Sequence, residues 1–174
     1  MRALDAGAHG IIAPMIDTAA MPADWFRRVS TPRRAHAPSA QCAPDSLGVM
    51  TTQPLPIARY CQIAMIETRA AVDNLDEIAA TPGLAGLYIG PADLSLVHGL
   101  AAEFDRQEPF MLELIERIRI ACRSNGIAAC IHCSDPAYAR RMAGEGFDLV
   151  TIGSDARFIE AGAKTATAFF RQAN

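Results

Sequence analysis

Short apolar segments that alternate with helical ones constrain the fold of this chain more than any other feature. Almost every residue in these segments is apolar, as is typical of strands buried on both faces of a sheet. They occur near the start of the chain in AGAHGIIAPMI and again at residues 61–67, 84–90, 127–133 and 148–155. Between them, apolar residues recur at helical spacing in residues 68–80, 110–124 and 157–172. This alternation predicts an α/β fold with a parallel sheet covered by helices.

Turn and capping signals mark the limits of several helices. Asp135 followed by Pro136 predicts an N-cap and a first helical residue. Asn125-Gly126 predicts the end of the helix at 110–124. A polar loop is expected between the strand at 84–90 and that helix.

Two architectures accommodate the five strand units. One is an open doubly wound sheet, and the other is part of a (β/α)₈ barrel. No G-x-G-x-x-G follows a strand, so nothing supports the dinucleotide-binding form of the first. With 174 residues, 51% of them hydrophobic, we expect a single domain over residues 1–174. Residues 20–59 hold six prolines without a sustained period and are expected to be irregular.

Composition argues against several classes of partner. The net charge of −3 is small, so no nucleic-acid stripe or basic membrane anchor is expected. No apolar run is long enough to cross a bilayer, and the first residues do not resemble a secretory signal. Five irregularly spaced cysteines favour a reducing cytoplasm. Cys130 and Cys133 form a C-x-x-C within a strand pattern. Their side chains should point to opposite faces as packed thiols, not as a redox pair.

Two acidic residues stand where buried strands end. Glu67 ends the apolar run IAMIE, and Asp93 lies just beyond LYIGP. They are one strand–helix repeat apart, and ligands of parallel α/β folds bind at the carboxyl ends of strands. Neighbouring strands lie about 5 Å apart, so the two carboxylates could share a divalent cation such as Mg²⁺ or Mn²⁺. The alternative is that each acid is the N-cap of the helix that follows it.

The amino-acid sequences around these strand ends resemble those of the HpcH/HpaI aldolase/citrate lyase family. The resemblance covers residues 1–19 and about 61–172, and its most specific part is I-E-T together with G-P-A-D-L-S. It implies a phosphoenolpyruvate/pyruvate-type (β/α)₈ barrel, present here as a partial barrel of five of the eight strands. It also implies metal-dependent cleavage of 4-hydroxy-2-oxo acids to pyruvate and an aldehyde, with assembly into homo-oligomers whose terminal helices exchange.

The resemblance assigns roles to individual residues. Glu67 and Asp93 match the family's metal ligands, with Mg²⁺ or Mn²⁺ expected and Co²⁺ as a further option. The backbone N–H groups of Ala92 and Asp93 match those that hold the pyruvate carboxylate. Gly90 and Pro91 turn the chain so that these donors face the site.

The chain also departs from the family pattern. Matched to the family, the chain is expected to lack the first three barrel strands, and with them the segment that carries the general-base histidine. His9, His36, His98 and His132 lie outside that motif. Met65 stands where many members have Gln. No catalytic acid–base residue is therefore assigned.

The substrate arginine of the family is also missing. Residues 20–59 carry STPRRAHAPSAQCAP where the family has its arginine motif. Codons read one base earlier can spell that motif, so we expect a frameshift over about residues 20–60.

Three functions follow from these observations. The first is a metal-dependent pyruvate aldolase. The second is an inactive pseudogene product or fragment of such an enzyme, with open sheet edges and a tendency to aggregate. The third, less favoured, is a lyase of CoA thioesters in the same superfamily.

Overall fold

A computed structural model describes residues 8–22 and 61–172 of the chain. Within them, five strands form one parallel sheet in the order β1-β2-β3-β4-β5. The strands are β1 Gly10–Ala13, β2 Cys61–Ile66, β3 Gly86–Ile89, β4 Ala128–Cys133 and β5 Leu149–Ile152. All four neighbouring pairs are parallel. The predicted α/β class is confirmed.

The order of the strands decides between the two predicted architectures. In a doubly wound sheet the order reverses at a switch point, and later strands add to the other side of the first. Here each strand pairs with the next one along the chain, without reversal. The sheet curls into half of a (β/α)₈ barrel, with helices on its outer side. The prediction of a partial barrel with five strands is confirmed.

Six helices with described bounds follow β2 to β5. They are α1 Arg69–Asp73, α2 Leu75–Ala79, α3 Pro91–Val97, α4 Pro109–Ser124, α5 Pro136–Gly144 and α6 Asp155–Gln172. The capping signals hold: Asp135 accepts a hydrogen bond from the Tyr138 N–H at 3.0 Å. Gly126, just after α4, has a φ of 65°, which glycine tolerates best. None of the helices in residues 61–172 has the length and apolarity to span a bilayer.

Two predicted segments differ from the structure. The expected helix at 68–80 is two short helices, because the chain bends at Asn74, which closes α1 and caps α2. The expected polar loop after β3 begins with the helix α3, whose first residue is Pro91. Proline has the φ of a helix and needs no hydrogen-bond partner at that position, so the G-P pair starts a helix here.

The sheet separates two apolar regions. Residues on its outer face join a continuous core with the helices, among them Ile66, Ile89 and Ile131, each with 0% exposure. Tyr88 and Cys130 are also buried but lie outside that cluster. They project from the other face, towards the inside of the half-barrel. This inner face carries the polar side chains discussed below.

The irregular segment falls largely outside the described residues. Residues 20–22 have a helical backbone, and Pro22 is fully buried. Residues 23–60 are not described, so the expected irregularity and frameshift stay predictions. The same holds for the single domain over residues 1–174.

Candidate active site at the carboxyl ends of β2 and β3

Glu67 is a buried carboxylate at the end of β2. Its side chain is only 6% exposed. Oε1 accepts a hydrogen bond of 2.7 Å from the backbone N–H of Met15, in the loop that follows β1. Oε2 lies 3.4 Å from the place that a Cβ on Gly90 would occupy. The carboxylate is therefore held between the β1 loop and the start of α3.

The β1 loop fastens the whole segment around Glu67. Met15 has a φ of 56°, a left-handed conformation that is uncommon outside glycine. The Thr68 hydroxyl donates to the carboxylate of Asp17. The Asn74 amide donates to the Asp17 carbonyl at 2.8 Å. Three contacts from residues 15–17 thus hold Glu67 itself and the polypeptide that follows it.

Asp93 lies across from Glu67, on the next strand–helix unit. It is the third residue of α3 and is exposed to solvent. Two contacts hold α3 in place: the Gly90 N–H donates to the Ile66 carbonyl at 3.3 Å, and the Arg69 Nε donates to the Val97 carbonyl. Both acids therefore lie at the same edge of the sheet, at the carboxyl ends of neighbouring strands.

The capping alternative for the two acids is wrong. The N-cap of α1 is Thr68, whose hydroxyl accepts from the Ala71 N–H at 3.0 Å. The N-cap of α3 is Gly90, which has no side chain that could cap the helix. Glu67 lies one residue before its helix cap and Asp93 is already inside its helix. Neither carboxylate is needed to satisfy a helix terminus.

The donor chemistry of this pair fits a hard divalent cation. In residues 8–22 and 61–172, no three His, Cys, Asp or Glu side chains are grouped as a closed metal site would require. Mg²⁺ does not need such a group, because it keeps several waters and commonly binds only one or two carboxylates. Glu67 has Oε2 free of the Met15 contact, and the Asp93 carboxylate is open to solvent. Each residue therefore has a carboxylate oxygen that is not taken up by a contact of the described chain and is of the kind a hard cation prefers.

A second polar group lies on the inner face of β3, β4 and β5. The Tyr88 hydroxyl is 2.5 Å from Oγ1 of Thr151 and 3.2 Å from Nδ1 of His132. Nδ1 of His132 is also 3.0 Å from Oγ1 of Thr151. The ring of Phe104 meets the His132 ring edge-on, with centroids 4.8 Å apart. Burial lowers the pKa of His132, and nearby Arg157 lowers it further against the opposing effect of Asp105.

Sequence reasoning missed this inner cluster and the β1 loop. Tyr88, His132 and Thr151 are polar residues inside otherwise apolar strands, which is a detectable signal. Met15 carries no such signal, because it contributes only its backbone. Of the four histidines, His132 alone is brought near the inner face by the described contacts, and His36 lies outside the described residues.

The cysteine pair is packed as expected. Cys133 belongs to the outer core, and Cys130 is buried on the inner face. Burial raises the pKa of each thiol to about 12. All four cysteines in the described residues, which are Cys61, Cys122, Cys130 and Cys133, are free. A reactive dithiol is therefore not formed here.

Proteins of similar sequence identify the family to which this chain belongs. The sequence pattern of the family described as HpcH/HpaI aldolase/citrate lyase matches residues 1–161. The chain belongs to the HpcH/HpaI aldolase/citrate lyase family. A hydroxypyruvate/pyruvate aldolase of Rhizorhabdus wittichii is 34% identical over 171 residues, covering 97% of this chain and 67% of the relative.

Solved structures of other proteins agree with the fold. An HpcH/HpaI aldolase/citrate lyase family protein from Burkholderia cenocepacia J2315 superposes with a TM-score of 0.74 at 26% identity, over 98% of this chain and 68% of that one. The protein CitE of Mycobacterium tuberculosis, crystallised with magnesium and acetoacetate, superposes with a TM-score of 0.57 at 19% identity. That comparison covers 88% of this chain and 57% of CitE, and it supports the fold alone.

The match to the HpcH/HpaI family is partial in length. The chain spans 58% to 67% of the first curated relatives that it matches. The activity of the whole relatives is therefore taken up below as a proposal for this chain.

Proposed function

We propose that this protein is a metal-dependent carbon–carbon lyase that cleaves 4-hydroxy-2-oxo acids reversibly to pyruvate and an aldehyde. The observation that supports it best is the buried carboxylate of Glu67, which lies against Gly90 at the carboxyl end of β2. In a family whose curated relatives are named aldolases, that is where a 2-oxo acid would bind.

Glu67 and Asp93 are the residues that would hold the metal, Mg²⁺ or Mn²⁺ or, as a further option, Co²⁺. When bound, such an ion would polarise the oxo group of the substrate as a Lewis acid. Glu67 is suited to this because the Met15 N–H and the packed β1 loop orient its carboxylate before anything binds. Orientation of a ligand by surrounding contacts is a general requirement of such sites.

The start of α3 would bind the carboxylate of the 2-oxo acid. The N–H groups of Ala92 and Asp93 are in the first turn of the helix, where such groups have no partner within the helix. This turn lies next to Glu67, since a Cβ on Gly90 would be in van der Waals contact with the Glu67 side chain at 3.4 Å. Pro91 starts the helix and is buried, which fixes the direction of the two N–H groups.

The test is an assay of pyruvate release from a 4-hydroxy-2-oxo acid. Protein stripped with EDTA should be inactive, and added Mg²⁺ or Mn²⁺ should restore turnover. Glu67→Gln should lower the activity at saturating metal by about 10²-fold or more, because mutating even the groups that orient a metal ligand typically costs about 10- to 100-fold. Glu77→Gln, an exposed acid on α2, is the matched control. A folded, metal-loaded protein without turnover would favour the inactive alternative, and cleavage of a CoA thioester would favour the third function.

We also propose that the protein is a cytoplasmic homo-oligomer. From Asp155 to Arg171, every residue of α6 is exposed, including Phe158, Ile159, Phe169 and Phe170. Large apolar side chains on one exposed helix are typical of a protein interface. A second copy of this chain, exchanging the helix as in the family, would cover them. The free cysteines suit a reducing compartment.

A further inference from the structure

The polar cluster on the inner face can hold His132 in one hydrogen-bonding state. The hydroxyls of Tyr88 and Thr151 both lie against Nδ1 of His132, at 3.2 and 3.0 Å. Tyr88 can donate to Thr151, and Thr151 in turn can donate to Nδ1, so that each hydroxyl proton has an acceptor. Nδ1 is then an acceptor, and a neutral imidazole carries its proton on Nε2.

Nothing in the described part of the chain hydrogen-bonds Nε2 of His132. Its ring is held in place by Phe104, whose plane meets it at 64°. Phe104 is in turn covered by the Arg157 guanidinium, 5.8 Å from the ring centre. The His132 ring is therefore held by the two hydroxyls at Nδ1 and by the Phe104 ring, while its Nε2–H remains available to a ligand.

His132 lies in the same row of the half-barrel as Glu67. Ile66 is in register with Ile89, and Ile89 with Ile131. The residues that follow each of them, Glu67, Gly90 and His132, therefore form the next row, on the inner face. Two strand spacings of about 4.8 Å separate the backbones of Glu67 and His132. A short 2-oxo acid held by its oxo-acid end at Glu67 and α3 would extend its other end towards His132.

We infer that His132 is a specificity-determining residue, whose Nε2–H donates a hydrogen bond to a hydroxyl oxygen on the aldehyde half of the substrate, with Tyr88 and Thr151 as its positioning residues. This rests on the proposed lyase function and names the substrate class within it. Hydroxylated aldehydes such as glycolaldehyde would be preferred over acetaldehyde, because the latter leaves the Nε2–H without a partner. A site built to hydrogen-bond a hydroxyl discriminates against an analogue that lacks it.

The experiment compares condensation of pyruvate with glycolaldehyde and with acetaldehyde, each with added Mg²⁺. The readout is the ratio of the two kcat/KM values. His132→Phe should lower the glycolaldehyde preference about tenfold, the effect of one lost hydrogen bond, mainly through KM for glycolaldehyde. His132→Gln, which can place an amide N–H near the position of Nε2, should recover part of the preference. Thr151→Val combined with Tyr88→Phe should reduce it as well, since Nδ1 then loses both hydroxyls, and this pair serves as the test if His132→Phe does not fold.

His98→Phe is the matched control. His98 also packs edge-on against a phenylalanine, with centroids 5.1 Å apart, but at the end of α3 and away from the inner cluster. It should keep the parental ratio. An unchanged ratio in His132→Phe, or an equal fall in His98→Phe, would overturn the inference while leaving the lyase function intact. Failure of the parent to condense either aldehyde would overturn the proposed function and this inference together.

Discussion

Glu67 illustrates how a single backbone contact can prepare a side chain for its role. Its Oε1 is satisfied by the Met15 N–H, so the buried carboxylate is not left without a partner. Its Oε2 is directed towards Gly90 and the first turn of α3. The side chain is therefore anchored by one oxygen and can bind with the other.

Replacing Glu67 separates anchoring from metal binding. Glu67→Gln keeps an oxygen for the Met15 N–H but removes the charge. We expect the parent to melt at a higher temperature in Mg²⁺ or Mn²⁺, since a ligand at 100 times its dissociation constant stabilises the folded state by about 2.7 kcal/mol. This rise should be absent in Glu67→Gln and in Asp93→Ala, and present in the control Glu77→Gln. Thermal unfolding with and without metal measures it. An undiminished rise in both variants would remove these residues from the metal site.

The two half-buried histidines predict a loss of stability in mild acid. Burial lowers the pKa of both His98 and His132 below the ordinary value of 6.5. The unfolded chain then binds more protons than the folded chain as the pH falls through 6.5. Stability should therefore be fully present above pH 7 and decrease progressively below about 6.5. His132→Phe and His98→Phe should each flatten this part of the melting temperature–pH curve. Equal slopes in the parent and both variants would contradict the assignment.

Residue identities could be predicted only where the residue type itself carries the signal. The positions of Glu67 and Asp93 at strand ends followed from charge after an apolar run. The Met15 contact could not be predicted, because any residue other than proline offers the same N–H. The proximity of Tyr88, His132 and Thr151 depends on strand register, which apolar patterns over four to six residues do not determine.

At the scale of elements, the glycine in β3 shows how closely the strands approach. A Cβ on Gly86 would lie 2.6 Å from the carbonyl oxygen of Ala128 on β4. That is too close for any carbon, and the obstacle is backbone, which cannot move aside without disturbing the pairing. The β3–β4 contact therefore requires glycine at this position.

Alanine at Gly86 should be destabilising for this reason. We expect Gly86→Ala to lower the free energy of unfolding by about 1–3 kcal/mol, as overpacking does. Gly144→Ala is the matched control, because a Cβ there would meet nothing within 4 Å. It should be neutral or stabilise the chain by about 0.4–1 kcal/mol. Urea unfolding measures both, and a Gly86→Ala protein as stable as its parent would show that β3 and β4 are further apart than described.

Elements were predictable where caps and periodicity agree, as in α4 and α5. The two failures have physical reasons. The pattern at 68–80 continues through Asn74, but its side chain is drawn to the Asp17 carbonyl, a contact with a distant segment. The segment after β3 has too few residues to show a helical period, and its helix α3 is set by Pro91 and by contacts to β2 and α1.

On the scale of the whole molecule, α6 is the least integrated part of the described chain. Its first turn contacts the body through Arg157 and Ser134, 3.3 Å apart. Beyond that turn, its apolar side chains are exposed. Ile159 and Phe170 are three helical turns apart and therefore share one face.

Polar replacements on this face should change the assembly. We expect the parent to form oligomers, and the double variant Ile159→Ser with Phe170→Ser to shift towards the monomer, because apolar area drives such association. Lys164→Ser, on the same helix and 76% exposed in its side chain, should not. Sedimentation velocity over a range of concentrations distinguishes the species. A monomeric parent, or an unchanged oligomer in the double variant, would contradict the interface.

The barrel architecture as a whole was predictable because it follows from chain order. Five strand–helix repeats restrict a parallel sheet to a few topologies, and the resemblance of I-E-T and G-P-A-D-L-S to one family selected among them. The contact between the β1 loop and Glu67 could not be predicted, since the two segments are far apart in sequence.

The large sequence separation between the β1 loop and its contacts has a consequence for the order of folding. The contacts from the β1 loop to Glu67, Thr68 and Asn74 bridge sequence separations of 52, 51 and 57 residues. The paired residues of β2–β3, β3–β4 and β4–β5 are 23, 42 and 19 residues apart in sequence, which is less in every case. Contacts of long separation require closure of a larger loop and form later. We therefore expect the β2–β5 unit to consolidate first and β1 to dock onto it afterwards. The last step of folding would then be the one that gives Glu67 its backbone donor, so the site matures only when the sheet is complete.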